Sequence, residues 1–208
     1  GAVAISDATV TSGSNAIQFA DLQAPVALTN VVSTSTALDA LQFSALPAAV
    51  TSVSITGGSF TGLRRGIYFS TVDAATTITI SGAAVEATGT TDAALRFSGT
   101  VAGPVSITGG TFTQNDAGRQ AIYFTGAVTA AVAISDATVT SGSNAIQFTD
   151  LQAPVALTNV VSTSTALDAL LLTAVSAAAT SISITGGSFT GLRRGMFFPA
   201  VGAATAVT

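Results

Sequence analysis

The chain repeats itself at two nested periods, and this constrains its fold more than any other feature. Residues 1–79 realign without a gap onto residues 130–208 at an offset of 129, with 63 of 79 positions identical. The block AVAISDATVTSGSNAIQF runs from Ala2 to Phe19 and again from Ala131 to Phe148. Within the long repeat lies a tetrapeptide of the form small-aliphatic-x-aromatic. It stands at Ala16-Ile17-Gln18-Phe19, Ala40-Leu41-Gln42-Phe43, Gly66-Ile67-Tyr68-Phe69, Ala94-Leu95-Arg96-Phe97 and Ala121-Ile122-Tyr123-Phe124. It continues at Ala145-Ile146-Gln147-Phe148, Ala169-Leu170-Leu171-Leu172 and Gly195-Met196-Phe197-Phe198, the copies spaced 24, 26, 28, 27, 24, 24 and 26 residues apart. Repetition at this period marks a stack of units, each too small to bury its own apolar face. Residues 1–208 therefore read as one continuous solenoid, with 1–129 a first repeat of five coils and 130–208 a partial second.

A second motif keeps the same period: Val3-x-Ile5, Val26-x-Leu28, Val53-x-Ile55, Ile78-x-Ile80, Val105-x-Ile107, Val132-x-Ile134, Val155-x-Leu157 and Ile182-x-Ile184. A turn signal follows it (Asp7-Ala8, Asn30, Gly57-Gly58, Gly82-Ala83 or Gly109-Gly110), then a short strand bearing Val10, Phe60, Val85 or Phe112. Apolar residues alternate with Ser, Thr or Gln at period two, which specifies half-buried strands, and no stretch carries a helical period. The fold expected is all-β: a right-handed parallel β-helix (β-solenoid) of about eight coils, each with three short strands and about 23–28 residues. A left-handed form built on hexapeptides would need about 18 residues per coil, and parallel crossovers prefer the right hand.

Stacking is what makes such a coil stable. Ordering a residue costs about 1–2 kcal/mol, while burying a Phe or Ile returns only about 1.5–3 kcal/mol. Coils stacked about 4.8 Å apart satisfy each other's backbone and align like residues in columns. Three inner columns are expected: Ile17, Leu41, Ile67, Leu95, Ile122; Phe19, Phe43, Phe69, Phe97, Phe124; and Ile5, Leu28, Ile55, Ile80, Ile107. Outside, Ser6, Thr29, Thr56, Ser81 and Thr108 form a hydroxyl column. A second face carries Thr11, Thr61 and Thr113, broken at Glu86 and by a shift at Ser33-Thr34.

Composition removes several functions. With no His, Cys or Lys, the chain offers no imidazole base, thiol nucleophile or Schiff-base amine, and no cofactor is expected. A net charge of −4 with no basic cluster beyond two Arg pairs gives no footprint for nucleic acid. No apolar run reaches the length of a membrane helix, so membrane insertion is not expected in this segment. Charged residues are only 8% of the chain, against roughly 25% in ordinary soluble domains, so the surface is Ser, Thr, Gly and Gln.

The runs Val53-Ser54-Ile55-Thr56-Gly57-Gly58-Ser59-Phe60-Thr61 and Val105 to Thr113 resemble the V-x-I-x-G-G-x-F-T coils of the pectate-lyase-like β-helix superfamily. In particular they are similar to the repetitive stalks of bacterial adhesins and autotransporter passengers. That resemblance implies an extracellular or cell-surface location, a bacterial source and a structural role.

Enzymes of this fold group their acids on one face, and glycosidases need paired carboxyls about 5–9.5 Å apart. Here the spacings force no two acids together. Asp7, Asp136 and Asn30 fall where a turn needs a left-handed residue. Asp39 and Asp168 lie at a polar corner before the aromatic strand, where other coils carry Asn15, Arg65 and Gln120. No metal site is expected, since the acids do not recur from coil to coil.

Two groups of residues are candidates for contact. Gln18, Gln42, Tyr68, Arg96, Tyr123, Gln147, Leu171 and Phe197 form an outward strip on the aromatic strand, with Leu171 and Phe197 expected to be exposed. Arg64, Arg65, Arg193 and Arg194 form a corner that either pairs with a nearby Asp in solvent or docks a neighbouring filament.

Near-identical repeats suit a spacer better than an active site, which needs one unique constellation. The expected function is a non-enzymatic segment of a long extracellular fibre or adhesin stalk. Its expected partner is itself, by head-to-tail stacking or lateral bundling, with surface glycans or neighbouring cell surfaces as further candidates. Gly1 aligns with Ala130 and Thr208 with Thr79, so both ends fall inside the repeat and leave strand edges open. The alternatives are a carbohydrate-binding or polysaccharide-cleaving β-helix and, on the threonine face, ice binding.

Overall fold

The structure, a computed structural model, describes every residue except Ala204. It is all-β: three parallel sheets wrap one apolar interior, and the chain visits them in turn through about eight coils. The first coil shows the plan, with Val3–Ser6 in the first sheet, Thr9–Ser12 in the second and Ile17–Phe19 in the third. The second coil lays Val26–Thr29, Val32–Ser35 and Asp39–Phe43 over them. Among the described residues the sheets hold nine, eight and eight strands, each bonded to the strand one coil before and one coil after except at the two ends of a sheet. None of the described segments is a helix long and apolar enough to cross a membrane.

All three expected inner columns form. Ile17, Leu41, Ile67, Leu95 and Ile122 share one register, and Ile5, Leu28, Ile55, Ile80 and Ile107 another. The phenyl rings of Phe19, Phe43, Phe69, Phe97, Phe124 and Phe148 stack with centroids 5.0, 4.9, 4.8, 4.5 and 4.5 Å apart, and no pair departs from parallel by more than 12°. Those distances lie at the near end of the favourable stacking range. Leu172 follows Phe148 in the column and interrupts it.

A further inner column had no separate signal in the sequence. Leu46, Val72, Val101, Val128, Leu151, Val175 and Val201 pair in succession beyond the third sheet, closing the corner that returns to the first.

Each coil enters the turn from the first sheet to the second at a left-handed residue (Asp7, Asn30, Gly57, Gly82, Gly109, Asp136, Asn159 or Gly186), and after Gly57, Gly109 and Gly186 the next residue, Gly58, Gly110 or Gly187, is left-handed as well. Asn30 donates from Nδ2 to Asp7 Oδ1 at 3.2 Å, and Asn159 does the same to Asp136 at 3.1 Å. Gly58 is doubly constrained, because its φ is +79° and a Cβ would lie 2.3 Å from the Val31 carbonyl oxygen.

The next residue and the one two beyond it compensate in size around the whole solenoid. The pairs are Ala8/Val10, Val31/Ser33, Gly58/Phe60, Ala83/Val85, Gly110/Phe112, Ala137/Val139, Val160/Ser162 and Gly187/Phe189. A large corner residue faces a small strand residue, so each coil fills one slice of interior to similar volume, as close packing demands.

This pairing corrects the expected shift at Ser33-Thr34. Ser33 points inward, fully buried, and donates to the Ala40 carbonyl at 2.7 Å, while Val31 supplies the missing apolar bulk at the corner. Thr34 therefore faces outward, in register between Thr11 and Thr61.

Candidate functional site

The charged side chains gather at the corner between the second and third sheets. Register sets Asp39, at the start of its third-sheet strand, opposite Arg65 at the start of Arg65–Phe69. Arg64 donates from Nε and Nη2 to the two Asp39 oxygens, both at 2.8 Å, and Arg65 does so at 2.9 and 2.8 Å. The Asp39 side chain is fully buried, and Arg65 is 8% exposed.

Arg65 also faces Asp92 at 3.6 Å, and both Asp92 oxygens accept from Arg96 Nη1 at 2.7 Å. The Arg65 guanidinium lies 3.5 Å over the Tyr68 ring, and that of Arg96 lies 5.8 Å over Tyr123. The result is a ladder of alternating charge, Asp39, Arg65, Asp92, Arg96, with aromatic faces closing its outer side.

The second repeat rebuilds the motif more openly. Arg193 donates to Asp168 at 2.9 and 2.6 Å and Arg194 at 3.1 and 3.2 Å, but the two Arg side chains are 47% and 35% exposed. Burial pushes the Asp168 carboxyl up, yet the hydrogen bonds and charges of Arg193 and Arg194 outweigh it and hold it below the usual carboxylate value. The hydrogen bond to Asp39 is the main reason the Arg64 guanidinium is held above its ordinary value. Tyr68 is raised by burial, but hydrogen bonds with Ser98 and Ser70 and the neighbouring Arg65 leave it net lowered.

The expected pairing of Arg64, Arg65, Arg193 and Arg194 with a nearby Asp is therefore present; in the first repeat Asp39 and Arg65 are buried within the corner, while the Arg64 side chain stays 33% exposed. Asp39 and Asp92 also come together on either side of Arg65, although their spacing in the chain did not require it. Both oxygens of each carboxylate accept hydrogen bonds from guanidinium donors. Among the described residues no three metal-ligating side chains gather.

Gln18, Gln42, Tyr68, Arg96, Tyr123, Gln147, Leu171 and Phe197 form one outward row along the third sheet, each in register with the next. Its side chains lie against the polar corner. Asn15 donates to Gln42 at 2.6 Å, Gln120 to Gln147 at 2.8 Å, and Tyr68 shares a hydrogen bond with Ser98 at 2.7 Å. Leu171 and Phe197, expected to be exposed, are half-buried, and Arg194 covers the Phe197 ring at 3.3 Å. A groove of about 470 Å³ runs along the same corner past Leu38, Leu63, Arg64 and Thr90.

The second sheet presents a different surface. Its outer side carries Thr11, Thr34, Thr61, Glu86, Thr113, Thr140, Thr163 and Thr190 in one continuous register. Beside it runs the column Thr9, Val32, Ser59, Ala84, Thr111, Thr138, Val161 and Ser188. On the first sheet, the expected hydroxyl column Ser6, Thr29, Thr56, Ser81 and Thr108 also keeps register.

No protein-family model matches the chain, and no curated protein or solved structure matches it.

Proposed function

We propose that the chain is a segment of a stiff, non-catalytic extracellular rod, a spacer of the kind that carries adhesive tips or bundles into fibres. The observation that carries this reading is the unbroken run of in-register coils, with one phenyl ring over the next through six of them. A solenoid of this kind resists bending because each coil is hydrogen-bonded along three sheets to its neighbours. Length is then set by repeat number, and near-identity between repeats is no obstacle. Carboxylates locked by guanidinium groups serve the corner's integrity and offer nothing to a substrate. The half-buried Gln/Tyr/Arg row is the surface through which neighbouring rods bundle.

Thr208 aligns with Thr79, so appending a second copy of residues 80–208 after Thr208 continues the register. Small-angle scattering should show the particle lengthening by about 24 Å, five coils at about 4.8 Å each, with an unchanged cross-section. Growth in width would overturn the rod. Cleavage of acidic or neutral polysaccharides by the purified chain would overturn the non-catalytic part of the reading and favour a polysaccharide-cleaving β-helix.

A further inference from the structure

We infer that the outer face of the second sheet binds ice. Two columns of β-compatible side chains run the length of the solenoid, and the one that starts at Thr11 holds Thr at every position but Glu86. Because Ser33 and Ser162 turn inward, Thr34 and Thr163 fall into line, and one of the two breaks read from the sequence does not exist.

Regularity is imposed by the backbone. Parallel strands stack about 4.8 Å apart, and residues i and i+2 on one strand lie about 6.6 Å apart, so the face is a two-dimensional lattice. No register shift interrupts this sheet, whereas the third sheet has one between Phe124 and Ala127. Thr is branched at Cβ and stiff at χ1, so each methyl and hydroxyl holds its lattice point without further loss of freedom on binding. A fixed array of alternating methyl and hydroxyl groups orders water into a layer that an ice plane can continue, whereas charges impose hydration shells that ice cannot accept. The column that starts at Thr9 has nothing larger than Thr or Val, and its Val32 and Val161 add exposed methyl groups at 41% and 44%.

Strand propensity alone does not explain the face, since it acts on every strand. The outward row of the third sheet carries Gln, Tyr and Arg, and the first sheet places Ala4, Ala27, Ala133 and Ala156 outward. Crystalline polysaccharide is the other periodic solid to consider, but this face has no aromatic ring to stack on a sugar. Glu86, which accepts from Asn115 Nδ2 at 3.5 Å, is the single charge in the lattice.

The inference is independent of the rod proposal and is tested by partition of the fluorescently labelled chain into a slowly growing ice hemisphere, together with thermal hysteresis. The wild-type chain should enter the ice. A Thr113→Tyr/Thr140→Tyr variant should be excluded while its circular dichroism and melting temperature match the wild type, a Thr56→Tyr change on the first sheet should leave entry intact, and Glu86→Thr should raise the hysteresis. Exclusion of the wild-type chain from ice overturns the proposal. So does entry of the double Tyr variant, loss of entry in Thr56→Tyr, no gain from Glu86→Thr, or capture by microcrystalline cellulose in place of ice.

Discussion

Asp39 and Asp168 sit in the same pentapeptide, Ala-Leu-Asp-Ala-Leu, and each accepts from two consecutive arginines, yet their surroundings differ. A fourth coil lies over Arg65 and supplies Asp92, whereas Arg194 has no coil of the described chain above it. Removing Asp39 strands a buried guanidinium, so Asp39→Ala should destabilise the fold by about 3–5 kcal/mol. Asp168→Ala should cost less, because water reaches Arg193 and Arg194 and screens the loss. Urea denaturation of the two variants tests this, and equal losses would contradict it. The pH dependence follows from the lowered Asp168 carboxyl. A carboxylate whose folded value lies below its unfolded one stabilises the fold fully above the unfolded value, about 3.9. That contribution disappears as pH falls through the folded value. The melting temperatures of the wild type and Asp168→Asn should therefore differ by a constant amount above about pH 5 and converge below about pH 4.

At the scale of one coil, the corner and the strand it opens behave as a single packing unit. Val31 with Ser33 fills the slice that Ala83 fills with Val85 and Gly58 fills with Phe60. Ser33→Val alone adds bulk beside Val31 and removes the hydrogen bond to Ala40, and it should cost about 1–3 kcal/mol. Val31→Ala alone opens a cavity. The double change Val31→Ala/Ser33→Val copies the pairing of coils that carry Ala and Val, and it should be more stable than the sum of the single changes by about 0.5–3 kcal/mol. A thermodynamic cycle from chemical denaturation measures that coupling, and strict additivity would mean that the two positions do not share the slice. The same logic holds for the phenyl column. Phe97 is fully buried between Phe69 and Phe124, so Phe97→Ala removes two stacking contacts and should cost about 3–5 kcal/mol by the same measurement.

Across the whole molecule, each coil touches only its neighbours, so stability accumulates along one axis. Burial follows that axis: Phe43 to Phe148 are fully buried, whereas Phe19 near one end and Phe198 near the other are only partly so. Hydrogen exchange should therefore give the strongest protection in the strands around Ile80, Leu95 and Ile107, falling toward both ends. A flat profile would show that the solenoid opens only as a whole.

The repeat period, the period-two alternation and the turn residues were enough to read the all-β solenoid, the coil count and the three inner columns. Those signals are local, and a stack of like coils converts local pattern into global register with few alternatives. The left-handed turns at Asp7, Asn30 and Asp136 were legible for the same reason, as residue type and φ are coupled at a sharp corner. What only the tertiary structure decided is which side of each wall a residue faces when the pattern slips, and which charges meet. Ser33 is inward because Val31 occupies the neighbouring volume, and volume is a property of the slice. Asp92 reaches Arg65 because the register that pairs Leu95 with Ile67 sets it beside Arg65 in the next coil, so their meeting depends on how the coils sit above one another and not on spacing along the chain.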